Sequence, residues 1–160
     1  WCVLSPSKKS KKKDLLKLEK FWMQLGSKVK IMSFSEHDYI LSLTSHLPHA
    51  IAYNLVITAI QNDKKSKKEI VKYSAGGLRD FTRIASSNPI MWKDIFLDNS
   101  ENMVKILNLF TKNINKFKNA IRKGDSKKLL NIFKLTKTVR EDIIRAGQDT
   151  NKPDFGRKKS

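Results

Sequence analysis

Two short stretches hold the side chains that could do chemistry. Ser45-His46-Leu47-Pro48-His49 carries two of the chain's three histidines beside a hydroxyl. Gly76-Gly77-Leu78-Arg79-Asp80-Phe81-Thr82-Arg83 gathers two of the six arginines in a protein otherwise dominated by lysine. His46 and His49 are three residues apart and share a helix face. His37 lies nine residues before His46, about half a turn out of phase on a regular α-helix. With no cysteine nearby either, no metal site is expected. Neighbours on a helix point about 100° apart, so Ser45 and His46 alone do not form a nucleophile and base. What remains is recognition of a small polar ligand. Hydrogen-bonded core groups are the alternative, and periodicity alone leans slightly towards it.

The arginine stretch suggests a different chemistry. A guanidinium offers a carboxylate a planar, two-pronged donor, and Arg79 and Arg83 lie one helical turn apart. Glycines just before a helix let a ligand approach the free N–H groups at its N-terminus. An intrahelical Asp80–Arg83 pair at the surface accounts for the same residues equally well. Trp92, nine residues after Arg83, either walls a pocket or packs in the core, and core is the commoner fate.

The elements that must position these groups are legible from punctuation and periodicity. Not one of the 33 Lys and Arg residues falls between Ser33 and Asp63, where about six would be expected by chance, so this segment is sequestered from solvent. Ser35, with Asp38 three residues on, reads as its helix cap. Leu47 to Ile60 is apolar nearly all round, as in a bundle interior or a subunit interface. Pro48 cannot donate to the carbonyl of Thr44, which predicts a kink beside Ser45, His46 and His49.

Before this segment, Trp1 to Leu4 reads as a strand and Lys28 to Met32 as another. Between them lies a helix to about Leu25 with an apolar stripe of Leu15, Leu18, Trp22 and Leu25, ended by Gly26. One such crossover unit cannot build a sheet core. It is read as the last edge of an α/β domain, with the remainder upstream of Trp1. The opening Trp, in place of Met, likewise suggests a piece of something longer.

After Ser33 the chain reads as all-helical. A polar turn is expected over 62–68, followed by a short helix around Ile70 and another from Leu78 to Ala85. Asn88-Pro89 marks a new start, Asn as cap and Pro at the first helical position. Two longer helices follow, from about Asn99 to Gly124 and from Asp125 to about Gly147, before a flexible basic tail.

Composition narrows the function classes. The 160 residues suffice for one ordinary domain. A net charge of +18 invites an anionic partner, but lysine on solvated helix faces explains it more simply, because phosphate and base readout usually recruits arginine. The basic runs at Lys8–Lys13 and Lys64–Lys68 lack interleaved aromatics, so nucleic acid is not the expected partner. No run approaches the roughly 18 apolar residues of a membrane span. The single Cys2 cannot form an internal disulfide and suits a reducing, cytoplasmic setting. Neither a dinucleotide Gly-x-Gly-x-x-Gly, nor a P-loop, nor zinc-finger spacing is present.

Four motifs in order then carry a resemblance. They are Glu36-His37-Asp38-Tyr39, Ser45 to Ala50, Gly76 to Ala85, and Asn88-Pro89-Ile90-Met91-Trp92-Lys93-Asp94-Ile95-Phe96. Together they resemble the C-terminal part of prephenate/arogenate dehydrogenases, with matching order and spacing from roughly Trp1 to Phe96.

The resemblance implies an oxidoreductase acting in tyrosine biosynthesis, by NAD- or NADP-linked oxidative decarboxylation of prephenate or arogenate, a small anionic substrate. It implies a mainly α fold in three parts: the end of a Rossmann domain over 1–33, an all-helical substrate and dimerisation domain over 34–147, and the tail over 148–160. It implies a homodimer in which Arg83 binds a substrate carboxylate while Ser45, His46 and His49 line the pocket. Gly77, Arg79, Asp80 and Trp92 would shape or gate that pocket, Trp92 from the partner subunit in one arrangement. Arg79 stands where some members carry Lys.

The family's nucleotide loop and its catalytic histidine, in a His-Pro-x-x-Gly segment, are absent from this sequence. No catalytic, cofactor-binding or metal-binding residue is therefore assigned here, and the fragment alone is expected to be inactive. Two rivals stay open: a basic helical nucleic-acid-binding module, and a standalone dimerisation or ligand-sensing domain.

Overall fold

The computed structural model describes residues 1–61 and 67–149. Residues 62–66 of the polar turn expected over 62–68, and residues 150–160 of the tail expected over 148–160, lie outside them; Lys67 and Lys68 are corrected from turn to helix. The chain is mainly α, and its one sheet among the described residues is a pair of short strands. It divides into two compact units, Trp1–Asn108 and the part from Leu109 onward. Among the described residues no helix is long and apolar enough to cross a membrane.

The first unit opens with β1 (Cys2–Leu4), α1 (Lys12–Gln24) and β2 (Val29–Ile31). The strands run parallel, with Cys2 opposite Val29 and Leu4 opposite Ile31. Gly26 ends α1 at φ +83°, a conformation that costs glycine nothing. Its N–H reaches the carbonyl of Met23, and that of Ser27 reaches Trp22, a double closure of the last turn. Parallel sheets are normally covered on both faces. Here only Leu4 is buried, and no side chain of α1 is. This crossover has formed without a core of its own.

The lysine-free segment is helical without interruption from Phe34 to Gln61, as α2 (Phe34–Leu41), a π-helical turn (Ser42–His46) and α3 (Leu47–Gln61). Two expectations are corrected here. The cap is Ser33, whose hydroxyl accepts from the N–H of Glu36 at 3.2 Å, rather than Ser35 with Asp38. Both pairs have capping spacing, but Ser33 has the extended backbone (φ −69°, ψ 159°) that a cap requires.

The kink expected at Pro48 takes the form of the π-turn, in which the N–H of Leu47 reaches back five residues to Ser42. Proline's ring clashes with the carbonyl four residues earlier, and a wider turn relieves that clash. The apolar α3 is not enclosed by its own chain: Ala50 and Ala52 are buried, but Ile57 and Ile60 remain 44% and 39% exposed.

Next come α4 (Lys67–Lys72) and α5 (Gly76–Ala85), and α5 packs along α3. The start expected at Leu78 moves back, because Gly76 and Gly77 form the first turn of α5 rather than precede it. Asn88 caps α6 (Pro89–Asp98) as expected, its Oδ1 accepting from the N–H groups of Ile90 and Met91 at 2.9 and 3.1 Å. Asn99 alone separates α6 from α7 (Ser100–Arg122).

In the second unit, the chain leaves α7 through a turn at Gly124, at φ +63°, with the N–H of Asp125 bonded to the carbonyl of Ala120. Asp125 then caps α8 (Ser126–Arg145) through the N–H of Lys128 at 2.9 Å. Phe117 and Phe133 meet edge-to-face at 6.2 Å, and Ala120 is buried.

Candidate functional site

The π-turn sets the geometry of the histidines. It holds one residue more than an α-turn, so everything beyond it lags by one position, about 100°. Counted this way, His37 and His46 are about 80° apart rather than half a turn. Asp38 and His46 come within about 20° of each other. The half-turn separation expected from a regular helix is thus corrected. A single side chain from elsewhere can now reach both positions.

That side chain is Asn99. Its Nδ2 donates to the carbonyl of Asp38 at 2.8 Å and to Nδ1 of His46 at 3.2 Å. Its Oδ1 accepts from Nδ2 of Asn102 at 2.9 Å. His46 and Asn99 are both 8% exposed, so each is hydrogen-bonded where burial demands it. Burial pushes the pKa of His46 below the ordinary histidine value. His37 adds to the depression and Asp38 opposes it, with a smaller lowering from His49.

His49 is pinned differently. Its Nδ1 lies 2.9 Å from the carbonyl of Ser45. A carbonyl only accepts, so Nδ1 carries the proton. The ring stacks on Trp92 with centroids 3.6 Å apart, and His46 meets the same indole edge-on at 6.1 Å. Trp92 is 6% exposed and also touches Phe96 at 5.5 Å, which in turn faces Tyr53 at 6.4 Å. His46, His49 and Trp92 thus form one aromatic cluster within a single chain. Ser45 joins it through its backbone carbonyl, not its hydroxyl.

The arginine stretch lies on α5, beside α3. Arg83 is 61% exposed and sits 3.6 Å from Asp80 on the same helix. That pair is the surface alternative weighed from sequence. It is a weak one at this exposure, and it leaves the guanidinium available to a stronger anion. Arg79 is exposed, and a Cβ at Gly77 would meet nothing within 4 Å, so the first turn of α5 is open to approach. His37 pairs with Asp38 at 2.9 Å. No group of three or more His, Cys, Asp or Glu side chains converges as a metal site among the described residues.

Asn99 and Asn102 were not legible as site residues. Asn99 reads only as a helix boundary, and it lies 53 positions from His46. The second amide three residues on, Asn102, follows Ser100 and Glu101 in a polar helix start and does not stand out.

Comparison with known proteins identifies the family. Residues 33–135 match the family model described as the dimerization domain of prephenate dehydrogenase. The chain is 37% identical over 138 residues to cyclohexadienyl dehydrogenase of Zymomonas mobilis, covering 86% of this chain and 47% of that protein. It is 31% identical over 141 residues to prephenate dehydrogenase of Bacillus subtilis, covering 88% and 38%. Among solved structures, prephenate dehydrogenase of Aquifex aeolicus, in complex with hydroxyphenyl propionate and NAD+, superposes with a TM-score of 0.80 at 42% identity, covering 88% of this chain and 49% of that one. The chain therefore spans about half the length, or less, of the relatives it matches. On the family model, which matches more than half of the chain, the chain belongs to the prephenate dehydrogenase dimerization-domain family.

Proposed function

We propose that this chain is the C-terminal portion of an NAD- or NADP-linked prephenate or arogenate dehydrogenase, supplying the substrate-carboxylate site and the homodimer interface. The observation that carries the reading is the cluster of His46, His49 and Trp92 at the π-turn, with the open, arginine-bearing start of α5 on the neighbouring helix. Residues 1–33 then belong to the nucleotide-binding domain, residues 34–147 to the helical domain, and the setting is cytoplasmic.

In this role Arg83 exchanges its exposed pairing with Asp80 for a substrate carboxylate, a charge-assisted and geometrically specific bond. His46 and His49, with Ser45, line the ligand. Arg79, Asp80, Gly77 and Trp92 shape its entry. The apolar side chains that α3 leaves uncovered supply the face for a second copy.

A dinucleotide does not fit the residues described. β1 leads into a Ser-Pro loop and basic residues, and β2 leads through Met32 and Ser33 straight into α2, so neither strand opens the glycine-rich turn that such a cofactor needs. Nucleotide binding and the proton partner of the reaction fall to parts of the enzyme outside this sequence, and this chain alone is expected to be inactive. The test is turnover by the full-length protein, which should reduce NAD+ or NADP+ only when prephenate or arogenate is present. Absence of turnover with either substrate and either nucleotide would overturn the reading.

A further inference from the structure

We propose that Asn99 is a positioning residue that fixes His46 as the Nε2–H tautomer, so that His46 meets the substrate as a neutral hydrogen-bond donor. The inference rests on the functional reading above for its substrate, but its structural half stands on hydrogen-bond logic alone.

Three contacts determine the proton. The carbonyl of Asp38 can only accept, so the Asn99 atom 2.8 Å from it is the amide nitrogen. The opposite end of the amide agrees, since Oδ1 accepts from Asn102 at 2.9 Å. An amide nitrogen donates and does not accept, and its second hydrogen faces Nδ1 of His46 at 3.2 Å. Nδ1 must therefore offer its lone pair, which leaves the proton of a neutral imidazole on Nε2. A second proton on Nδ1 would set N–H against N–H in a buried site. The groups acting on this ring are His37, Asp38 and His49, and the net effect, burial included, disfavours the charged form.

No group among the described residues is bonded to Nε2 of His46, and that nitrogen is not among the enclosed, unpartnered atoms. It is the one nitrogen of the ring left to meet a ligand. His49 has the opposite arrangement: its Nδ1–H is spent on the Ser45 carbonyl, leaving an acceptor at Nε2 while the ring is neutral. The two histidines thus differ in role. His46 donates to an oxygen of the anionic substrate, whereas a neutral His49 offers only an acceptor there.

The test uses the full-length protein labelled with 15N-histidine. Long-range 1H–15N correlation near neutral pH reports which nitrogen of each ring is protonated, with His46 assigned by its loss in His46→Asn. Wild type should show His46 protonated at Nε2 and bare at Nδ1. Asn99→Asp puts an acceptor where the donor was, and should move the proton to Nδ1. The same variant should raise KM about tenfold, with a smaller change in kcat, as an interaction with bound substrate is lost.

Wild-type His46 protonated at Nδ1 would overturn the proposal. So would a folded Asn99→Asp protein with unchanged tautomer and unchanged KM. If Asn99→Asp does not fold, the wild-type spectrum decides alone. A wild-type protein with the expected tautomer but no turnover would count against the proposed function and leave the tautomer assignment standing.

Discussion

His46 is a buried imidazole whose one hydrogen-bond partner among the described residues is a donor, and this makes its charge state a matter of stability. Its folded pKa is depressed, first by burial and then by His37. The unfolded chain therefore takes up a proton before the folded one does as pH falls. His46's contribution is intact above about pH 6.5 and is lost as pH drops through its lower folded value. Asparagine at this position can accept from Asn99 without titrating. Urea unfolding of the full-length protein from about pH 7.5 to about pH 5 should show a steeper acid loss in wild type than in His46→Asn. Equal slopes would contradict the burial and pairing described for this residue.

At the scale of elements, the π-turn is the feature on which the site depends, because it brings Asp38 and His46 onto one face for Asn99 to bridge. Pro48→Ala removes the ring clash and restores an N–H, which favours an ordinary α-turn. That change rotates His46 away from Asp38. The variant should keep its helical circular dichroism while KM rises severalfold; an unchanged KM would show that the wider turn is incidental.

Much of this level was readable in advance. Asn88-Pro89 and Asp125 start helices where capping chemistry demands it, and Gly26 ends one through a backbone conformation that suits glycine. Pro48 announced a distortion. Its form was hidden because periodicity assumes a constant 100° per residue, so a single wide turn misplaces everything beyond it. The choice between Ser33 and Ser35 was hidden for a related reason: both have the same spacing, and only the backbone separates them. Asn99 could not be found at all, since its partners are tertiary and its local pattern is that of a helix boundary.

For the whole molecule, the apolar surface left by α3 calls for a partner. Ile57 and Ile60 are too exposed for core residues and too apolar for a solvated face. Membership of a dimerization-domain family makes a second copy the natural cover. Ile57→Asp combined with Ile60→Asp should shift the full-length protein from dimer to monomer in sedimentation equilibrium, and a dimer as tight as wild type would place the interface elsewhere. Most of the described lysines lie on exposed helix faces.

The central claim is that this chain grips the carboxylate of prephenate or arogenate through Arg83, and steady-state kinetics of Arg83→Ala in the full-length enzyme tests it most directly. Loss of a charge-assisted pair to the transition state should lower kcat/KM by on the order of 2–4 kcal/mol, roughly 30- to 1,000-fold. A kcat/KM equal to wild type would contradict the claim.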